Sequence, residues 1–128
     1  MKITPVLYVD KIEPALTFWV DRIGFEKTVE VPEGDALGFV ILQHGNAELM
    51  LQTIASAAKD TPDLAEFTVP RAGTYIEVSD FDDVLKRLGD AEVIMPERTA
   101  FYGMREIVVK EPGGNLICFA GRAPQVAS

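Results

Sequence analysis

Apolar and polar positions alternate along most of this chain, and the alternation comes in two similar blocks. In the first, residues 4–9 read as a strand, with Leu7 and Val9 on one face and Val6 and Tyr8 on the other. Ala15, Leu16, Phe18, Trp19 and Ile23 then recur at helical spacing, which predicts a helix from about 13 to 22. Asp10 is its expected cap, Pro14 suits its first turn, and Gly24 stops it. Phe25–Val31 reads as a strand closed by Pro32. Leu37–Gln43 and Ala47–Thr53 pair around the turn His44-Gly45-Asn46. The second block begins with Thr74–Val78 and a shorter helix over Asp80–Leu88. A strand over Glu92–Met95 is stopped by Pro96. Arg105–Lys110 and Asn115–Ala120 then form a hairpin around Glu111-Pro112-Gly113-Gly114.

The blocks repeat one supersecondary unit about seventy residues apart. Each helix pattern ends alike, in Asp21-Arg22-Ile23-Gly24 and in Lys86-Arg87-Leu88-Gly89. The expected order is β-α-β-β-β twice, an α+β domain with two mixed sheets, each carrying a helix on one face. The first module spans about residues 1–53, a connection with a short helical turn 54–70, and the second about 71–121. The tail 122–128 is expected to be poorly ordered. Leu7/Val9, Ala47/Leu49/Leu51 and Ile76/Val78 form the apolar sets under the helices. The opposite sets, Val6/Tyr8, Glu48/Met50/Gln52 and Tyr75/Glu77, are mixed, as suits a ligand cavity between the repeats.

Composition narrows the function. The 128 residues are 48% apolar, enough for one well-formed core. A net charge of −8 disfavours nucleic acid, which needs a basic surface, and hints at cationic partners. No apolar run is long enough for a membrane span. A lone Cys118 and an N-terminus without a signal-peptide pattern predict a soluble cytoplasmic protein.

Two stretches carry a resemblance. Phe18-Trp19-Val20-Asp21-Arg22-Ile23-Gly24-Phe25 resembles the "FW…LGF" helix end of the vicinal oxygen chelate superfamily, and Arg105–Asn115 resembles its "RE…DPxGN" hairpin. That superfamily holds glyoxalase I, extradiol dioxygenases and bleomycin-resistance proteins, and the chain looks most like the last. The resemblance implies two βαβββ modules forming a cup-shaped mixed sheet, and a homodimer. In the family's metalloenzymes four strand residues hold a divalent metal. Carried over, these fall at Thr4, Gly73 or Thr74, Met50 and Cys118, a set without His, Asp or Glu. The only histidine, His44, reads as a solvated turn residue. No metal, no cofactor and no catalytic residue is therefore expected.

Candidate binding residues are Tyr8, Phe39, Glu48, Met50, Tyr75, Glu77, Tyr102 and Cys118. Aromatic plates with carboxylates suit a planar or cationic ligand. Each has a plainer reading as core or rim, and the cavity reading is favoured for Tyr75, Glu77 and Tyr102. Phe18 and Trp19 read as core, and Arg105-Glu106 as an ion pair or structural strand residues. The expected function is metal-independent binding of a small, cationic or aromatic, antibiotic-like compound. The alternative is a glyoxalase- or dioxygenase-type enzyme with an atypical metal site.

Overall fold

In the computed structural model of the chain, which describes residues 1–60, 62 and 72–123, two four-stranded mixed sheets carry the repeat. The first module contains β1 (Val6–Val9), α1 (Glu13–Leu16), β2 (Glu26–Glu33), β3 (Ala36–His44) and β4 (Ala47–Thr53). After α2 (Ile54–Asp60) come β5 (Gly73–Glu77), α3 (Phe81–Leu88), β6 (Glu92–Thr99), β7 (Met104–Lys110) and β8 (Leu116–Arg122). The sheet orders are β1-β4-β3-β2 and β5-β8-β7-β6. Each first strand runs parallel to its module's last, and the other pairs are antiparallel. Both halves thus share one topology, as the repeat predicts.

Some boundaries differ for identifiable reasons. Pro32 and Pro96 do not close their strands. β2 and β6 lie at sheet edges, where a missing N–H breaks no ladder, and a register shift accompanies each proline. The first helix changes pitch: after α1 it widens to a π-helix over Thr17–Arg22, with the Ile23 amide donating to Phe18 O at 3.0 Å. Its N-cap is Ile12 without a side-chain bond, so Asp10 does not cap it. α3 does have a side-chain cap: Asp80, the first helical residue of the sequence pattern, precedes the helix, and its Oδ1 accepts from the Asp83 amide at 3.1 Å. The connection contributes the two-turn α2. Asp63–Phe67 and residues 124–128 lie outside the described residues.

One core serves both modules. Leu7, Val9, Val40, Leu42, Leu49 and Leu51 from the first sheet join Ile107, Val109, Ile117 and Phe119 from the second, with Phe18 and Trp19 between them. Trp19 is fully buried, edge-on to Phe18 and Phe25 at 5.1 and 5.4 Å. The two helix ends clasp each other through the repeated arginines. Arg22 Nη1 donates to Leu88 O at 2.5 Å, and Arg87 Nη1 donates to Arg22 O at 3.3 Å.

The Glu111–Asn115 hairpin ties the modules together a second time. Asn115 Oδ1 accepts from the Ala72 amide at 2.9 Å, and its Nδ2 donates to Tyr8 O and to Glu111 Oε1. Glu111 Oε1 also accepts from the Asn115 amide at 2.8 Å. Gly113 lets this hairpin close: a Cβ there would stand 2.3 Å from Val9 Cγ1.

Candidate functional site

The inner faces of both sheets are taken by the core, so chemistry is left to the open faces. On the second sheet, Glu106 of β7 lies opposite Ala120 of β8 and Arg98 of β6. Its neighbours Arg105 and Ile107 point the other way, because successive strand residues alternate. Tyr75 starts two strands away on β5, opposite Cys118. Its ring crosses β8, and its hydroxyl donates to Glu106 Oε2 at 2.7 Å. Tyr102 enters from the turn before β7 and donates to the same oxygen. Covered by two rings, Glu106 is only 2% exposed, while both tyrosines are half exposed.

The electrostatics follow from those bonds. The hydroxyls of Tyr102 and then Tyr75 hold the Glu106 carboxyl below its usual range. In return, the carboxylate beside them pushes both tyrosine hydroxyls upward. Glu106 Oε1 meets only Arg98 Nη2, at 3.6 Å. Burial, then the Glu106 charge, raises the Cys118 thiol, so it is a poor nucleophile. Beside this group lies a hollow of about 260 Å³, lined by Gly73, Thr74, Tyr75, Val108, Leu116 and Cys118.

The open face of the first sheet carries Tyr8, Phe39, Glu48 and Met50, all half-buried. Met50 lies between Val6 and Ile41, and Gln52 between Tyr8 and Phe39. Glu48 is already neutralised: Lys2 Nζ stands 3.2 Å from Oε2, and the Thr4 hydroxyl donates to Oε1 at 3.0 Å. Both contacts lower its carboxyl, Lys2 first.

The eight expected residues therefore divide by sheet. Tyr75, Tyr102 and Cys118 gather around Glu106. Glu77 stands at the end of β5, exposed, beside a separate hollow of about 590 Å³ that also meets Phe25, His44 and Arg87. Tyr8 and Met50 belong to the first sheet and Tyr75 and Cys118 to the second. Arg105 and Glu106 are not an ion pair. Arg105 stacks on the Phe81 ring at 4.8 Å and bonds Asp82 and Glu97. Sequence reasoning missed Glu106 and Arg98. The alternation in Met104–Lys110 was the available signal, since it sets Glu106 on the face of Tyr75.

Comparison with known proteins agrees with this architecture. The profile of the Glyoxalase/Bleomycin resistance protein/Dioxygenase superfamily matches residues 3–119. The chain belongs to this superfamily. No curated protein matches it. Among solved structures, TioX from Micromonospora sp. ML1 is 18% identical with a TM-score of 0.76, covering 95% of this chain and 98% of its own. Lactoylglutathione lyase from Agrobacterium tumefaciens is 17% identical with a TM-score of 0.76, over 94% and 92%. A bleomycin-binding protein from bleomycin-producing Streptomyces verticillus, complexed with copper(II)-bleomycin, is 24% identical with a TM-score of 0.61, over 98% and 97%. These likenesses show the fold.

The superfamily's metalloenzymes raise the question of a metal, and the donors in this member do not fit one. The Thr4 hydroxyl is engaged by Glu48, Thr74 turns to the inner face with Ile117, and Gly73 has no side chain. Met50 and Cys118 complete the set with sulfur alone. Among the described residues no three His, Cys, Asp or Glu side chains are placed to hold an ion. His44 stands exposed at the end of β3, its ring tilted against Phe25 at 5.5 Å.

Proposed function

We propose that this superfamily member binds a small aromatic or cationic molecule on the open face of its second sheet and holds it without a metal. The observation that carries this reading is the buried Glu106 carboxylate shared by Tyr75 and Tyr102. A general base works best with a pKa near the operating pH. Glu106 is shifted the other way, so it serves as a fixed charge rather than a proton shuttle. Cys118 is no better as a nucleophile. What remains is a fixed negative charge under two half-exposed rings, an arrangement suited to recognition.

A lyase and a bleomycin-binding protein both stand among the similar structures, so the fold does not choose between them. The charge state of Glu106 and the donor set favour binding of an antibiotic-like compound over catalysis. A homodimer completes the proposal. Val29, Val31, Val93, Ile94 and Leu116 are exposed apolar residues on strands, and a second copy over an open face would turn it into a walled cup. The lone cysteine fits a cytoplasmic setting, and no helix among the described residues is long and apolar enough to cross a membrane.

The test is a nuclear magnetic resonance titration of the labelled full chain with planar aromatic compounds, neutral and cationic. Binding should shift Tyr75, Tyr102 and Cys118 amides and spare the core around Trp19. Absence of any shift on this face with every compound would reject the reading.

A further inference from the structure

Glu106 is unevenly satisfied. Its Oε2 accepts from two hydroxyls, but its Oε1 faces a single guanidinium at 3.6 Å, beyond hydrogen-bond length. That guanidinium belongs to Arg98, whose side chain is 61% exposed, against 3% for Glu106. Arg98 sits on the edge strand β6, next to the register shift between Met95 and Arg98. Among the described residues it makes no other ion pair. The buried anion thus has a loose, solvated counter-ion on a long tether, the arrangement most easily displaced.

The tyrosines fix the polarity of the surface above. Each hydroxyl has one proton, and both protons are committed inward to Glu106. The outward side of each phenolic oxygen therefore offers only lone pairs. The two phenolic oxygens are the acceptors at the surface, Glu106 Oε1 is a third buried beneath them, and apart from Arg98 the cluster has no free donor. An anion would meet repulsion there. A neutral acceptor would find nothing to accept from.

Resting on the reading above, we propose that the ligand carries an amidinium, guanidinium or primary ammonium group, and that this group replaces Arg98 as the counter-ion of Glu106. The cation's N–H groups donate to Glu106 Oε1 and to the two phenolic oxygens. The apolar body attached to it lies in the hollow over Val108, Leu116 and Cys118. Arg98 is then a specificity-determining residue: a built-in competitor that the correct ligand must displace.

Three probes of similar shape separate the requirements. Benzamidinium has charge and N–H donors, phenyltrimethylammonium has charge alone, and benzamide has neutral donors. Each is titrated into the wild-type chain, Arg98→Gln and Tyr75→Phe, following backbone amides around Glu106. Benzamidinium should bind best. Arg98→Gln should tighten it by about two- to fivefold, the scale of one exposed ion pair, and leave benzamide unchanged. Tyr75→Phe, which removes an acceptor, should weaken it. Equal binding of benzamide would overturn the cationic class, and equal binding of phenyltrimethylammonium the donor requirement. An unchanged or weakened benzamidinium affinity in Arg98→Gln would overturn the replacement of Arg98. Those outcomes leave a binding face intact, whereas no shift with any probe rejects both the face and its ligand.

Discussion

Tyr75 and Tyr102 donate to the same oxygen of Glu106, although one hydroxyl starts on β5 and the other in the turn before β7. Neither can ionise without placing a phenolate against a carboxylate. Their titration midpoints should therefore lie above pH 10, the ordinary value for tyrosine. Glu106→Gln removes the cause and should bring both transitions down toward pH 10. Phenolate absorbance measures this directly. Identical curves for the two proteins would contradict the shared bond.

The same bonds have an acid-side consequence. The folded carboxyl of Glu106 is held below its ordinary value of 4.5. Its contribution to stability is then complete above the unfolded value and is lost as pH falls through the folded one. Urea unfolding of the wild type should show a steeper loss below pH 4.5 than Glu106→Gln does. Glu48, Asp82 and Asp90 are lowered by their own partners, so some acid sensitivity should persist in the variant.

Gly113 and Gly73 offer a matched pair of substitutions. An alanine at Gly113 drives Cβ into Val9 and to 2.8 Å from Glu111 Oε1. Gly113→Ala should cost about 1–3 kcal/mol, as overpacking does. Gly73 has open space around its Cβ direction, and Gly73→Ala should stay within about 0.5 kcal/mol. Thermal melts of the two variants compare them.

Asn115 is fully buried and serves both modules at once. Asn115→Ala strips donors from Glu111 Oε1 and Tyr8 O and an acceptor from the Ala72 amide. A loss of about 2–3 kcal/mol is expected, because buried partners are left unsatisfied. Denaturant midpoints give the number, and a loss under about 0.5 kcal/mol would show that water substitutes for the amide.

Nickel, zinc, manganese and ferrous ions should each leave the melting temperature unchanged. A single ion bound stoichiometrically with a marked rise in melting temperature would restore the metalloenzyme reading.

Much of the fold was legible in the chain because period-2 alternation and two helical stretches directly report which side meets the core. Leu7, Val9, Ile76 and Leu51 went where their spacing put them. The prolines misled, since sequence does not reveal that a strand is an edge. The π-helix was invisible because Phe18 and Trp19 fit the ordinary helical period nearly as well. At the site, Tyr75, Tyr102 and Cys118 were separate candidates drawn from alternation and resemblance, and their grouping around Glu106 appears only in the structure. Glu106 was not, because adjacency to Arg105 suggested a pair where strand geometry separates them. The division of the eight residues between two sheets that share one core depends on contacts distant in sequence, which no local pattern records.

The arginine clasp reaches further than its two hydrogen bonds. Arg22 and Arg87 occupy the same place in the two repeats, and each reaches for the carbonyl end of the other's helix. A single repeat therefore owns both the donor and the acceptor of this seam. The acceptors are offset by one position, Leu88 O on one side and Arg22 O on the other, so the two halves of the seam are alike without being identical. The join between the modules is thus built from one repeated element, the arginine at each helix end, used once in each direction.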